Sequence, residues 1–565
     1  MKSLVRKIKK VLKAINPTNI KSALRYIKNV GFKGLYTTCI NKIRFGKNVL
    51  DEYATWIANN EPNKAELDKQ KEYKSCQNLK FEIICNDNQE LINSIEQQTY
   101  SNYQISVLEK DKVQNIVFNS NSDYIIFIGQ DIELMPFTLY ELVKSIEYRD
   151  SILIYSDNDK LINNKRIEPH FKPGFARDTI ISQNYIDGFI AVKTTFLKVH
   201  NEILENLNKN MIYDIVLQIS EKTRKIEHIQ KILYHKTTEQ INVDIEDEKK
   251  IIEKHLQRMN LEYDSIQDGK FKGQYKINYK IKGNPLISLV IPNMDHIEDL
   301  EKLLNSLKKS TYSNYEVVIV ENNSKNKETF EYYEKISNED KRIKVVRLEI
   351  NYFNYSAIVN YGVECSKGEY IVMLNNDIEF ITTDWMEQML MYAQRPDVGI
   401  CGAKLYFPDR TIQHAGVTIG TRGLAGHRSR EISEKDFYRE DYINIVQDLS
   451  AVTAACFMVR KQLYIDMLGF DEKLAVAFND VDFCLKVRTA KYLIVYNPFV
   501  EAYHYESKSR GEDTENSEKQ KRFAKEYELF VKRWSKVIAK GDPYYNRNYR
   551  LDTDLPKINY NKINY

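Results

Sequence analysis

Cysteine is sparse and unpaired in this chain: seven residues in 565, odd in number, scattered, with no CxxC. That excludes a disulfide framework and the common zinc spacings, and a reducing cytosol fits. Long hydrophobic runs are missing too. No stretch approaches the roughly 18 apolar residues of a membrane-spanning helix, and mean hydropathy is −0.52. Acidic residues are absent from positions 1–50, which hold thirteen Lys or Arg. With the whole chain at +4, residues 51–565 therefore carry a net −9.

Within that basic segment Leu4, Ile8, Val11, Leu12 and Ile15 recur at helical spacing, with Arg6, Lys7, Lys9, Lys10 and Lys13 between them. Such a helix suits an anionic membrane surface, here the inner face of the cell membrane, each basic residue adding about 1 kcal/mol. It equally suits docking on the chain's own acidic remainder. The interrupting lysines exclude a signal peptide. Nucleic acid is not expected as a partner, because no recognisable binding module accompanies the charge.

What is present is the composition of a globular protein, 42% hydrophobic and 29% charged, long enough for two or three domains. Three stretches recur in one order. TYSNYQISVLE (Thr99 to Glu109) matches TYSNYEVVIVE (Thr311 to Glu321), YIIFIGQDIEL (Tyr124 to Leu134) matches YIVMLNNDIEF (Tyr370 to Phe380), and LYH ending at His235 matches AYH ending at His504. The chain reads as two copies of one domain. The expected boundaries are a basic helical segment at 1–77, a degenerate copy at 78–240, a charged helical linker at 241–283, a second copy at 284–535 and a C-terminal tail at 536–565, whose low-complexity end, KINYNKINY, is expected to be disordered.

In the second copy, LISLVIP, YEVVIVEN, IKVVRL and YIVML read as buried strands separated by helix-like stretches such as LEKLLNSLKK. This predicts an α/β fold with a mostly parallel, Rossmann-like sheet. Ligands of such sheets bind beyond the carboxyl ends of the strands. VENNS, LNNDIE and YHYESKSRG all follow strand-like runs.

Those stretches, together with GFDEKLAVAFNDVDFCLKV, resemble glycosyltransferase family 2, inverting enzymes of the GT-A fold that take a sugar from a nucleotide diphosphate. The likeness is greatest to long bacterial members that build surface polysaccharide or glycosylate surface proteins, rhamnosyltransferases among them. It implies Mn²⁺ or Mg²⁺ as cofactor, because a cation held by hard oxygen ligands neutralises a departing diphosphate. The resemblance places Asp377 and His504 as metal ligands and Asp480 as the catalytic base. Asn375 stands where the family often has an Asp, and Glu379 lies on the same strand face as Asp377. Nucleotide-sugar contacts fall on Pro292, Asn293, Asp295, Glu321, Asn322, Ser324, Asn375 and Asn376, with Lys508 and Arg510 as a diphosphate clamp. Acceptor contacts are expected at His414 and Asn479. Asp482 has a structural reading, since it persists as Asp214.

The first copy has Ile212 opposite Asp480, and Gly129 and Gln130 opposite Asn375 and Asn376. An isoleucine accepts no proton, so a pseudoenzyme domain is expected there. Its EPHFKPGFARD stretch (Glu168 to Asp178) is a feature of first domains in similar two-domain proteins. Expected partners are a nucleotide-diphosphate sugar and a glycan or glycoprotein acceptor. Two rival readings stand beside this one: a bifunctional transferase with both copies active, and a non-catalytic scaffold that binds glycan or nucleotide sugar.

Overall fold

The computed structural model describes residues 49–108, 113–238, 243–350, 352–436, 442–505 and 517–563. The basic segment through residue 48, Lys508 and Arg510 lie outside them. Two compact units result. In the smaller one, the helix Val49–Asn60 is met by the C-terminal stretch, Asn60 Oδ1 accepting the Ile563 N–H at 2.8 Å and Asn59 Nδ2 donating to the Tyr560 carbonyl at 2.8 Å. The described part of the KINYNKINY stretch is therefore hydrogen-bonded, not a free tail. No described helix is long and apolar enough to cross a membrane.

The larger unit, residues 62–556, holds both copies. The first is built on β1 (Phe81–Cys85), β2 (Tyr103–Val107), β3 (Tyr124–Ile128), β4 (Ile132–Leu134), β5 (Leu153–Ile162), β6 (Lys165–His170), β7 (Phe189–Lys193) and β8 (Ile226–Lys236), in the order β2-β1-β3-β7-β5-β8-β4. A hairpin, β9 (Tyr263–Asp268) and β10 (Tyr275–Tyr279), separates it from the second copy.

The second sheet comprises β11 (Ile287–Asn293), β12 (Tyr315–Glu321), β13 (Ile343–Arg347), β14 (Tyr370–Leu374), β15 (Ile378–Phe380), β16 (Val398–Tyr406), β17 (Ile412–His414), β20 (Gln447–Leu449), β21 (Cys456–Arg460) and β22 (Leu493–His504); a small pair, β18 (Val417–Ile419) and β19 (Ala425–His427), stands apart. Its order is β13-β12-β11-β14-β21-β16-β22-β15, the first sheet's order with one added edge strand. The repeat inferred from three short stretches is thus a repeat of topology. Both sheets are parallel through their first half and mixed beyond it, β21 running antiparallel to β14 and β16.

Burial follows from composition. β11, β12 and β14 are almost wholly apolar and covered on both faces, as crossover helices require. The helix Tyr355–Cys365 lies flush on this sheet because Gly362 lacks a side chain: a Cβ there would come within 2.4 Å of Val290 and 2.7 Å of Val320. One apolar core runs through both copies, including Tyr185 and Ile186 of the first, Ile251 and Ile277 of the linker, and Trp385 and Met389 of the second. The expected linker is therefore a packed layer, its helix Ile245–Arg258 laying Ile251, Ile252 and Leu256 into that core.

The expected tail at 536–565 also differs. The helix Ser517–Lys540 runs through position 536, and Asn546 and Asn548 beyond it are fully enclosed. The stretch YYNRNY shows no apolar periodicity, yet it supplies the amides and rings that this burial uses.

Candidate active site

The apolar strand β14 ends at Leu374, and the Asn375 N–H donates to the Ala455 carbonyl at 3.1 Å, turning the chain outward. Three residues later β15 begins and pairs with β22, Ile378 lying opposite His504. This register brings Asp377 beside His504: Oδ1 and Nε2 are 3.1 Å apart, and both residues are 8% exposed. Burial pushes the Asp377 carboxyl up, but the hydrogen bond and charge of His504 outweigh it and hold the group below the ordinary carboxylate range. The His504 Nδ1 lies 2.6 Å from Gln413 Oε1, while Gln413 Nε2 donates to the His504 carbonyl. Nδ1 therefore carries a proton, and Nε2 turns toward Asp377.

The base candidate arrives from elsewhere. Asp480 is in the first turn of the helix Asn479–Thr489, its Oδ2 accepting the Ala454 N–H at 3.2 Å and its Oδ1 the Val481 N–H at 2.8 Å. Phe478, just before that helix, takes a left-handed conformation at φ 63° that a bulky residue adopts only under constraint. Tyr355 joins the two ends. Its hydroxyl is 3.1 Å from Asn375 Oδ1 and 3.3 Å from the Ala454 carbonyl, while Asn375 Nδ2 faces His504 Nε2 at 3.3 Å. Burial, then Asp480, with Tyr464 and Asp377 behind it, raises the Tyr355 phenol, which stays a neutral donor. A chain of close polar contacts thus runs from His504 through Asn375, Tyr355 and Ala454 to Asp480.

On the nucleotide side, Asn376 Nδ2 donates to Asn293 Oδ1 at 2.6 Å, tying the β14 turn to the end of β11. Asp295 accepts the N–H groups of Lys325 and Asn326 and the Thr329 hydroxyl; burial pushes its carboxyl up, and these donors bring it below its usual range. Pro292, Asp295, Ser324, Asn375 and Asn376 are half-buried at the rim. Glu321 and Asn322 depart from expectation, at 2% exposure each. The Glu321 carboxylate folds back to accept the Ser324 N–H and hydroxyl and the Tyr333 hydroxyl, and Asn322 donates to the Leu348 carbonyl. They, with Asn293, hold the turn after β12 in shape from behind.

The acceptor-side expectations are corrected likewise. His414 is 1% exposed, its Nδ1 facing His427 Nδ1 at 2.9 Å and its Nε2 accepting the Thr453 N–H. Burial, His427 and His504 depress its pKa far below the usual imidazole value. Asn479 is 4% exposed and donates to the Ser356 hydroxyl. Neither offers a surface to an acceptor. Sequence reasoning missed Gln413 and Tyr355; neighbours on a strand face opposite ways, so the residue beside His414 is the one that meets His504.

The first copy's equivalent site is closed. Gly129 approaches Gly188 so nearly that a Cβ would lie 3.2 Å from its Cα and 3.7 Å from Ile212 Cδ1. The His235 correspondence is corrected by register: Ile132 pairs with Lys236 as Ile378 pairs with His504, so a lysine occupies the imidazole's place. Lys236 is ion-paired with Asp187, whose counterpart beside β21 is Ala454.

The donor set at Asp377 fits a divalent cation. Asp377 Oδ1 is buried, and among the described residues no N–H or O–H donates to it other than a His504 proton; the Asn375 amide lies beside the pair with its Nδ2 toward His504 and its Oδ1 toward Tyr355. Among the described residues no group of three or more His, Cys, Asp or Glu gathers as a metal cluster. A cation here would have two such ligands, an amide and non-protein oxygens.

Residues 288–468 match the family model described as glycosyl transferase family 2. The chain is 36% identical over 448 residues to an uncharacterized protein of Sinorhizobium fredii, covering 76% of this chain and 48% of that one. It is 30% identical over 444 residues to the O-antigen biosynthesis protein RfbC of Myxococcus xanthus, covering 76% of this chain and 34% of that one. The chain therefore spans about half or less of the length of these relatives. Among solved structures, the mannosyltransferase PcManGT of Pyrobaculum calidifontis is similar at a TM-score of 0.33 and 15% identity, over 47% of this chain and 68% of that one.

Proposed function

From a chain that carries a glycosyl transferase family 2 domain at residues 288–468, we infer an inverting transferase whose one working site lies in the second copy. It takes a sugar from a nucleotide-diphosphate donor and passes it to a hydroxyl of a glycan or glycoprotein. The observation that carries this reading is the run of polar contacts that brings His504 and Asn375 together with Asp480 around Tyr355. Inversion is a single displacement and needs a base on the face opposite the leaving group. Asp480 takes the acceptor proton on a carboxylate oriented by the Ala454 and Val481 N–H groups. Asp377 and His504, with the Asn375 amide, would hold Mn²⁺ or Mg²⁺. When bound, that ion neutralises charge on the departing diphosphate.

The surface-polysaccharide setting is supported by the name of the Myxococcus relative, and the first copy is read as non-catalytic on Ile212 and the Lys236–Asp187 pair. The test is a panel of UDP, dTDP and GDP sugars with Mn²⁺ or Mg²⁺, followed by mass spectrometry. Expected is release of one nucleotide diphosphate, slowed by about 10²- to 10⁴-fold in Asp480→Asn and untouched by Ile212→Ala. Turnover that Asp480→Asn leaves undiminished, or no turnover with any donor alongside measurable glycan binding, overturns the reading.

A further inference from the structure

The turn that presents Asp480 is held from outside its own sheet. Ala477 N–H donates to Glu526 Oε2 at 2.7 Å, and the left-handed Phe478 ring lies on Phe530 and Phe523, centroids 5.0 and 5.6 Å away. Asp482 Oδ1 accepts from Arg533 Nη1 at 2.7 Å and Trp534 Nε1 at 2.8 Å. All five partners belong to the helix Ser517–Lys540. That helix ends in a segment that leaves the second copy. Asp542 accepts the Ile419 N–H and the Ser450 hydroxyl, and beyond it the chain enters the first copy.

There the EPHFKPGFARD stretch receives it. Gly174 N–H donates to the Pro543 carbonyl at 3.0 Å, and a Cβ on Gly174 would sit 2.2 Å from that oxygen, so only glycine admits the strap. Asn546 and Asn548 donate to the buried Asp157, and Asn546 also to the Lys172 carbonyl. Tyr549 meets the Phe171 ring edge-on at 5.4 Å.

We propose that the first copy is the anchor for the positioning of Asp480: it fixes residues 543–549, which fix the C-terminal helix, which holds Phe478 in the conformation that aims the base. Phe478, Phe530 and Asn546 are positioning residues under this proposal. It rests on the reading of Asp480 as base only for its kinetic consequence. A base displaced by about 1 Å costs on the order of 10²-fold in rate, whereas donor contacts at β11, β12 and β14 are untouched.

The test uses the full chain carrying Gly174→Ala, more than 300 positions from Asp480. Expected is faster amide hydrogen exchange at residues 477–482 and a fall in kcat of about 10- to 100-fold with donor KM unchanged. Phe523→Ala, on a half-buried ring, serves where Gly174→Ala does not fold, and Phe523→Leu restores most of the loss. Unchanged exchange at 477–482 in folded Gly174→Ala or Phe523→Ala protein overturns the proposal. So does a loss in which kcat and KM move together. If no donor is turned over, exchange alone decides this inference and the transferase reading falls separately.

Discussion

Asp377 Oδ1 and His504 Nε2 face each other at 3.1 Å, and the Nδ1–H of the imidazole is spent on Gln413. Two lone pairs at that separation require a proton or a cation between them. Gln413 fixes which nitrogen is available, and partners of this kind typically govern metal affinity by about 10- to 100-fold. Gln413→Ala should weaken Mn²⁺ binding by that factor in calorimetry. Asn375→Asp should tighten it, because a second carboxylate joins the set, and chelation should abolish turnover.

Asp480→Asn keeps an oxygen for the Ala454 N–H and gives up only the acceptor of the adjacent Val481 N–H, while removing the proton acceptor. A fall in kcat of roughly 10²- to 10⁴-fold is expected, with donor KM and melting temperature nearly unchanged. A parallel loss of melting temperature would mark the residue as structural.

The parts legible in the sequence were those set by local periodicity. YIVML is the strand β14 to the residue, and the copies were visible because strand-and-turn signals repeat with them. The family resemblance singled out Asp377 and His504, each after an apolar run, and the structure brings the two together. What hid was set by register and side-chain direction. A slip of one residue separates His235 from the true counterpart Lys236, and the difference is carried by bulges in the pairing of β5 with β8. Glu321 looks like a ligand contact until its carboxylate is seen folded into its own turn. Tyr355 reaches the Ala454 carbonyl across 99 positions and the strap at 543–549 reaches Asp157 across 389, separations that no local pattern encodes.

The copies meet at a buried charge. Arg395 of the second donates two N–H groups to Asp178 of the first and two to Asp397, and is 7% exposed. Burial opposes its charge, and the Asp178 field overcomes it. Removing one partner leaves the other buried and uncompensated. Arg395→Met should therefore destabilise the chain by about 3–5 kcal/mol, and the Arg395→Met, Asp178→Asn pair by less than the sum of the single changes. Urea midpoints measure both; strict additivity would show that the ion pair does not couple the copies.

Lys172, in the first copy's strap-binding loop, is fully buried, its Nζ donating to the Ser156 carbonyl at 2.8 Å and the Tyr234 hydroxyl at 2.7 Å while its backbone N–H donates to Asp157 Oδ1. Burial lowers its ammonium to about 7, against an unfolded value near 10.4. Between those two values the unfolded chain holds a proton that the folded chain has released, so raising the pH favours the folded state. Stability should rise from pH 7 toward pH 9 by up to about 1.4 kcal/mol per unit from this group. Lys172→Met removes the titrating group and should flatten that part of the profile, whatever it does to stability at pH 7. Urea midpoints of both proteins across this range decide it, and parallel profiles would show that the lysine keeps its proton in the fold.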